Sequence, residues 1–163
     1  MTAPVRLLLV DDQALFREAL ATQLGVRDDV VGVGEAGDGE EAVRRAAELA
    51  PEVVLMDLRM PVLDGVAATR RLRAEQPGVR VIALTTFDDD EDVFAALRAG
   101  AVGYLLKDVS SARLVEAVLT AAAGRRATRA TTLAATEGSS TDPPAAAVST
   151  ASTRRAEDTS LSR

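Results

Sequence analysis

From Val5 onward the chain alternates short aliphatic and β-branched runs with longer stretches whose apolar positions recur every three or four residues. The runs at residues 5–10, 30–33, 53–56, 79–84 and 102–106 predict strands, and the segments 13–25, 39–50, 66–76, 90–100 and 111–123 predict helices. Phe16, Leu20 and Leu24 share one helical face; Val93 with Leu97, and Leu114 with Val118, repeat the spacing. Gly25 and Gly100 stand where a helix end favours left-handed backbone, and Pro51 and Pro77 punctuate two other ends. A strand followed by a helix, five times over, is the pattern of an α/β fold with a parallel sheet covered on both faces.

Composition narrows this picture. Hydrophobic residues make up 47% and charged residues 27% of 163, enough for one packed domain. The core must be aliphatic, because Phe16, Phe87, Phe94 and Tyr104 are the only aromatics, and stacking platforms for bases or sugars are therefore not expected. There is no Cys and no His, which removes thiolate nucleophiles, zinc–sulfur sites and the usual near-neutral proton shuttle. A net charge of −6 disfavours direct nucleic-acid binding. No apolar run is long enough for a membrane span and the N-terminus lacks the features of a signal peptide, so the expected location is the cytoplasm. From Gly124 the large apolar residues thin to Leu133, Val148 and Leu161. Residues 124–163 therefore read as a disordered Ala/Thr/Ser/Arg/Pro-rich tail after a domain at 1–123. The tail holds six Arg and four acids, so residues 1–123 carry −8.

In an open parallel sheet, ligands bind beyond the carboxyl ends of the strands. Those ends carry Asp11 and Asp12, Asp57, Thr85 and Thr86, and Lys107, with Gly34 and Glu35 a weaker contribution from the second strand. Each has an ordinary structural reading alone: Asp11 or Asp12 as a helix cap, Asp57 as the start of a turn toward Pro61, Lys107 as a solvated charge. Together they do not, because three carboxylates held close repel unless protonated or bridged by a cation. Mg²⁺ suits that need, since it takes oxygen ligands and is commonly shared between carboxylates and a phosphate. Mg²⁺, an ammonium and a hydroxyl around a spare carboxylate suit phosphoryl transfer, with Asp57 as a nucleophile already ionised at neutral pH.

Three strings, LLLVDDQALFREAL, VVLMDLRMPVLDG and ALTTFDDDEDVFAALRAGAVGYLLKD, cover most of residues 5–108 in order. With them the chain resembles a response-regulator receiver domain, the phospho-acceptor half of two-component signalling, and the third string is especially similar to the NarL/FixJ (LuxR-type) subgroup. The resemblance implies a doubly wound (βα)5 flavodoxin-like fold with sheet order 2-1-3-4-5 and Mg²⁺ as cofactor. It implies that Asp57 is the phospho-acceptor and that Asp11, Asp12, Asp57 and the backbone carbonyl of Arg59 hold the metal, Asp12 more directly than Asp11. Lys107 is implied as the salt-bridging lysine, Thr85 as the hydroxyl that moves to the phosphate and Tyr104 as the aromatic whose rotamer follows. Thr85 and Tyr104 also have plain readings, as a strand end and a half-buried core aromatic. Pro61 and Gly65 resemble the loop that shapes the approach to Asp57. The run 88–92 reads as an acidic helix start.

The implied partner is a sensor histidine kinase, since a chain without His needs an outside donor. The implied output is a surface around the fourth helix, fifth strand and fifth helix that binds a second copy or another protein. Such a chain is not an enzyme beyond Mg²⁺-dependent self-phosphorylation and slow autodephosphorylation. Two departures stand out. Asp108 follows the lysine where many receivers have Pro, and residues 124–163 are too short and too poor in large apolar residues for the subgroup's helix-turn-helix domain. No direct DNA binding is therefore expected, and the chain reads as a stand-alone receiver or as a shifted or truncated reading of a transcription regulator. Rival readings are a pseudo-receiver that is never phosphorylated, an aspartyl phosphatase, which would want an acid where Arg59 stands, and a flavin-binding module, whose phosphate Asp11 and Asp12 would repel.

Overall fold

The computed structural model describes residues 3–86 and 90–135, with side chains as far as Arg125. Five strands, β1 (Val5–Val10), β2 (Val30–Ala36), β3 (Val53–Asp57), β4 (Arg80–Thr85) and β5 (Gly103–Leu106), form one parallel sheet in the order β2-β1-β3-β4-β5. Helices α1 (Ala14–Leu24), α2 (Gly39–Leu49), α3 (Gly65–Glu75), α4 (Asp90–Ala99) and α5 (Ser111–Ala135) connect and follow them. This is the flavodoxin-like receiver architecture that the resemblance implied.

Alternation along the strands divides the core into two layers. Leu7, Leu9, Val53, Leu55, Ile82 and Leu84 face α1 and α5, where Leu20, Leu24, Leu114 and Val118 meet them. Leu8, Val10, Val54, Met56, Val81 and Ala83 face α2, α3 and α4, through Ala42, Val43, Ala46, Ala68, Leu72 and Ala96. A strand covered on both faces reads as an unbroken apolar run, which is why β1 and β3 were legible. Burial contributes about 1.5–3 kcal/mol for each such Leu or Val.

Several expectations need correction. Strand β2 continues past residue 33 to Ala36 because Leu9 and Val10 pair with Glu35 and Ala36; its Gly32 and Gly34 broke the β-branched pattern. Gly25 closes α1 in right-handed backbone, φ −63°, whereas Gly100 does have positive φ, and the left-handed cap nobody would assign to Ala falls at Ala50, φ 46°. Val93 is buried but Leu97 is 37% exposed, since Ala96 and Ala99 complete the covered stripe of α4. Finally, α5 runs through Gly124 to Ala135, so the change in composition lies inside a helix. Ala and Arg are strong helix formers, and side chains moor this turn: Arg125 donates to the Gly78 carbonyl and Arg80 to the Gly124 carbonyl. Residues 136–163 of the tail expected over 124–163, and Phe87, Asp88 and Asp89, lie outside the described residues.

The loops after β2 and β3 are held together by close backbone approach. Gly39 N–H donates to the Leu63 carbonyl at 2.9 Å, and Gly65 N–H to the Leu58 carbonyl at 3.0 Å. A Cβ on Gly65 would lie 2.0 Å from the Asp57 carbonyl oxygen. Asp38 and Asp64 cap α2 and α3 by accepting from Glu41 N–H and Ala67 N–H. Gly65→Ala is therefore expected to lower stability by about 1–3 kcal/mol in urea unfolding, as overpacking does. Gly32→Ala, with nothing within 4 Å of its Cβ position, should shift it by no more than about 0.5 kcal/mol.

Candidate functional site

Strands β1 and β3 are neighbours, so Asp11 and Asp12 leave the sheet beside Asp57, the last residue of β3. One carboxylate oxygen from each of Asp11, Asp12 and Asp57 lies within 4.8 Å of the others. Asp11 and Asp57 are buried and Asp12 is exposed, so the cluster has a closed floor and an open side. Lys107 enters from the end of β5: its Nζ is 2.6 Å from Asp11 Oδ2 and 3.5 Å from Asp57 Oδ2, with a side chain only 9% exposed. Of the three acids, the hydroxyl and the lysine expected to converge from four strand ends, the three acids and the lysine are in contact.

Each is fixed by its backbone or by a neighbour. Asp11 accepts the Gln13 N–H at 2.8 Å, just ahead of α1, whose N-cap position is Gln13 itself without a side-chain bond. The capping expectation is thus met only in this reduced form, by Asp11. Lys107 N–H donates to the Thr85 carbonyl, which ties the lysine to the end of β4. Its ammonium also lies 4.9 Å from the centre of the Phe16 ring, a cation–π contact from α1. Arg59 N–H donates to the Asp57 carboxylate, and the Arg59 side chain points away to α4, where its Nε is 2.9 Å from Asp92 Oδ2.

Thr85 is buried beyond Leu84, the partner of Asp57 in the ladder. Tyr104 pairs with Ala83 and packs half-buried on the α2–α3–α4 face. Strand alternation therefore puts Thr85, two residues after Ala83, on the same face as Tyr104. Pro61 begins a tight turn in which Leu63 N–H donates to the Pro61 carbonyl at 2.8 Å. Val62 at its centre has φ 68° and is exposed, an unfavourable conformation for a β-branched residue. Glu35 stays at the sheet edge, paired with Arg17 at 3.2 Å.

Sequence reading missed Phe16 as the floor of the lysine, having placed it only on the core face of α1. It also missed Arg17, which donates to the Asp11 backbone carbonyl, and the Arg59–Asp92 pair. The helical register of Phe16 and Arg17 behind the two acids was the available signal; nothing in the sequence announces a contact between residues 59 and 92.

Electrostatics follow from the crowding. The Asp57 carboxyl is pushed up from 3.8 to about 6, first by burial and then by the negative charge of Asp11, against the opposing pull of Lys107 and the Arg59 N–H. Three carboxylates face one ammonium, and the open side at Asp12 leaves room for a cation with oxygen preference; the donor set is all oxygen, which fits Mg²⁺. A folded carboxyl with a raised pKa favours the fold below its unfolded value near 3.8, and that contribution disappears as pH rises through about 6. Without divalent cations, ionised Asp57 is then a destabilising group. Asp57→Asn is expected to unfold at higher urea than the wild type at pH 8, with the gap closing toward pH 4.

Comparison with known proteins agrees with the geometry. The family model described as the response regulator receiver domain matches residues 7–119. The chain is 43% identical over 120 residues to the transcriptional regulatory protein LnrK of Bacillus subtilis (strain 168), covering 74% of this chain and 54% of LnrK. It is 42% identical to LiaR of the same organism over 74% of this chain and 57% of LiaR. The chain thus spans little more than half the length of these curated relatives. Among solved structures, the receiver domain of the response regulator NarL from Mycobacterium tuberculosis superposes with a TM-score of 0.72 at 37% identity, over 76% of this chain and 99% of that one. A chain of the CheX–CheY–BeF3–Mg²⁺ complex from Borrelia burgdorferi superposes at 0.66 with 26% identity, over 72% and 89%. Receiver domains bind Mg²⁺ at such an aspartate cluster and take phosphoryl groups from histidine kinases, and response regulators are generally not metabolic enzymes. With its relatives in the NarL/LuxR group, the sheet order and the acidic cluster agreeing, the chain belongs to the response regulator receiver family of two-component systems.

Proposed function

We propose that Asp57 accepts a phosphoryl group from a phosphohistidine of a sensor histidine kinase, and that the modified domain presents an altered surface around α4, β5 and α5 to a protein partner or a second copy. The observation that carries this reading is the meeting of three carboxylates within 4.8 Å with Lys107 between two of them. The BeF3 and Mg²⁺ named for the CheY complex of similar fold support it.

With its pKa near 6, Asp57 is mostly ionised at pH 7 and needs no general base. One Asp57 oxygen attacks phosphorus; the P–O bond forms as the P–N bond to the donor imidazole breaks, and the electron pair stays on that nitrogen. Asp11, Asp12, Asp57 and the Arg59 carbonyl are the groups that would hold Mg²⁺. When bound, the ion neutralises the phosphoryl oxygens and the crowded carboxylates. Lys107 stabilises the same oxygens, exchanging its contact with Asp57 for one with the phosphoryl group. The Thr85 hydroxyl, at the neighbouring strand end, donates to another oxygen, and Tyr104 on the same face turns into the space that Thr85 leaves. Autodephosphorylation is the slow attack of water on the same phosphorus.

Incubation with Mg²⁺ and acetyl phosphate is expected to add the mass of one phosphoryl group, read on the intact chain. A chelator or Asp57→Asn should abolish the gain, and Lys107→Gln should slow it by about 100-fold, the usual cost of removing one such donor. An unchanged wild-type mass, or a label that survives Asp57→Asn, refutes the assignment.

A further inference from the structure

Of the 19 basic residues, Lys107 is the only lysine, and its head group is held from two chemically different sides. On one side stand the Asp11 and Asp57 carboxylates, at 2.6 and 3.5 Å from Nζ. Among the described residues the buried Asp11 Oδ2 accepts no aligned hydrogen bond in spite of that nearness, and 3.5 Å is longer than an ordinary hydrogen bond to Asp57. Both contacts are therefore mainly attraction between charges, which depends on distance and not on direction. The two acids set how near the ammonium lies, but they do not hold it to one spot.

On the other side lies the Phe16 ring, its centre 4.9 Å from Nζ and within cation–π range. Phe16 stands in the first turn of α1 and is half-buried against the α1–α5 layer of the core, so the ring is itself anchored. The Lys107 side chain is almost fully buried, a setting in which the attraction of an ammonium for a ring face is strongest. An aromatic face has a further property that a carbonyl or carboxylate in its place would lack. It attracts the charge without a lone pair, and so does not compete with arriving phosphoryl oxygens for the three N–H groups.

We infer that Phe16 is a positioning residue for phosphoryl transfer: its ring keeps the Lys107 ammonium at the carboxylate cluster and is the pivot over which the ammonium swings from Asp57 to the phosphoryl group. This rests on the reading of Asp57 as phospho-acceptor.

The test uses the full chain. With one lysine, labelling lysine Nζ with heavy nitrogen gives a single ammonium signal in NMR. In the metal-free wild type the protons at the Lys107 head should be shifted upfield by the ring, and should stay so after addition of Mg²⁺ and beryllofluoride, a stand-in for the phosphoryl group. Phe16→Leu should remove the shift and slow the Mg²⁺-dependent mass gain from acetyl phosphate by about three- to thirtyfold, the range of a cation–π contact from partly to fully desolvated. Phe16→Tyr should keep both. Mono-, di- and trifluorophenylalanine installed in place of Phe16 preserve the ring's shape while draining its negative face, and the logarithm of the rate should fall in step with the number of fluorines. That series decides the matter even where Phe16→Leu folds poorly, because loss of packing alone gives no such trend. A wild-type signal without the upfield shift, or a rate indifferent to fluorination, overturns the positioning role, and a shift that vanishes with beryllofluoride overturns the pivot. A wild type that gains no mass overturns the phospho-acceptor reading and the inference with it; the metal-free shift, read with no phosphoryl group present, tells the two failures apart.

Discussion

Crowded negative charge at one end of the sheet is the constraint on which the rest of the molecule turns. Parallel strands all finish at the same edge, and β1 and β3 finish side by side, so the acids that follow them have no way to separate. Burial of Asp11 and Asp57 raises the cost of that arrangement, and the Lys107 ammonium offsets only part of it. Burial first, and then the Asp11 charge, hold the Asp57 carboxyl above its ordinary range. Among the described residues, Lys107 is the sole cation in contact with the carboxylates of both acids.

That lysine is itself over-determined. The Thr85 carbonyl fixes its backbone, the Asp11 and Asp57 carboxylates fix its head, and the Phe16 ring lies against it from α1. Four elements thus meet through one side chain, and the α1–α5 layer of the core is tied to the charge cluster at the strand ends. The opposite layer is tied through the β3–α3 loop, where Gly65 lets the start of α3 lie against the Asp57 backbone and Val62 accepts positive φ. Positive φ at Val62 stores strain close to the Asp57 carboxylate, and the surrounding hydrogen bonds keep the turn closed.

Legibility in the sequence followed the physics of each element. Strands β1, β3 and β4 are covered on both faces, so their Leu, Val and Ile runs stood out. Strand β2 lies at the edge, where Gly32 and Gly34 dilute the signal and pairing with β1 defines the true end. The extension of α5 escaped because a stretch of Ala, Thr and Arg carries little apolar pattern, and what moors its Gly124 turn comes from Arg80 and Gly78, distant in the chain. Left-handed backbone at Ala50 and Val62 escaped because residue type argues against it.

The order of strand and helix, the aliphatic character of the core, and the placing of Asp11, Asp12, Asp57, Thr85 and Lys107 at strand ends were determined by the sequence alone, since period and chemistry are local properties. Tertiary structure alone decided which of these groups touch: that Lys107 bridges Asp11 and Asp57, that Phe16 supports it, and that Arg59 reaches across to Asp92. Contacts between residues far apart in the chain depend on how the sheet is ordered and how its loops close, and no local pattern encodes a distance across a fold.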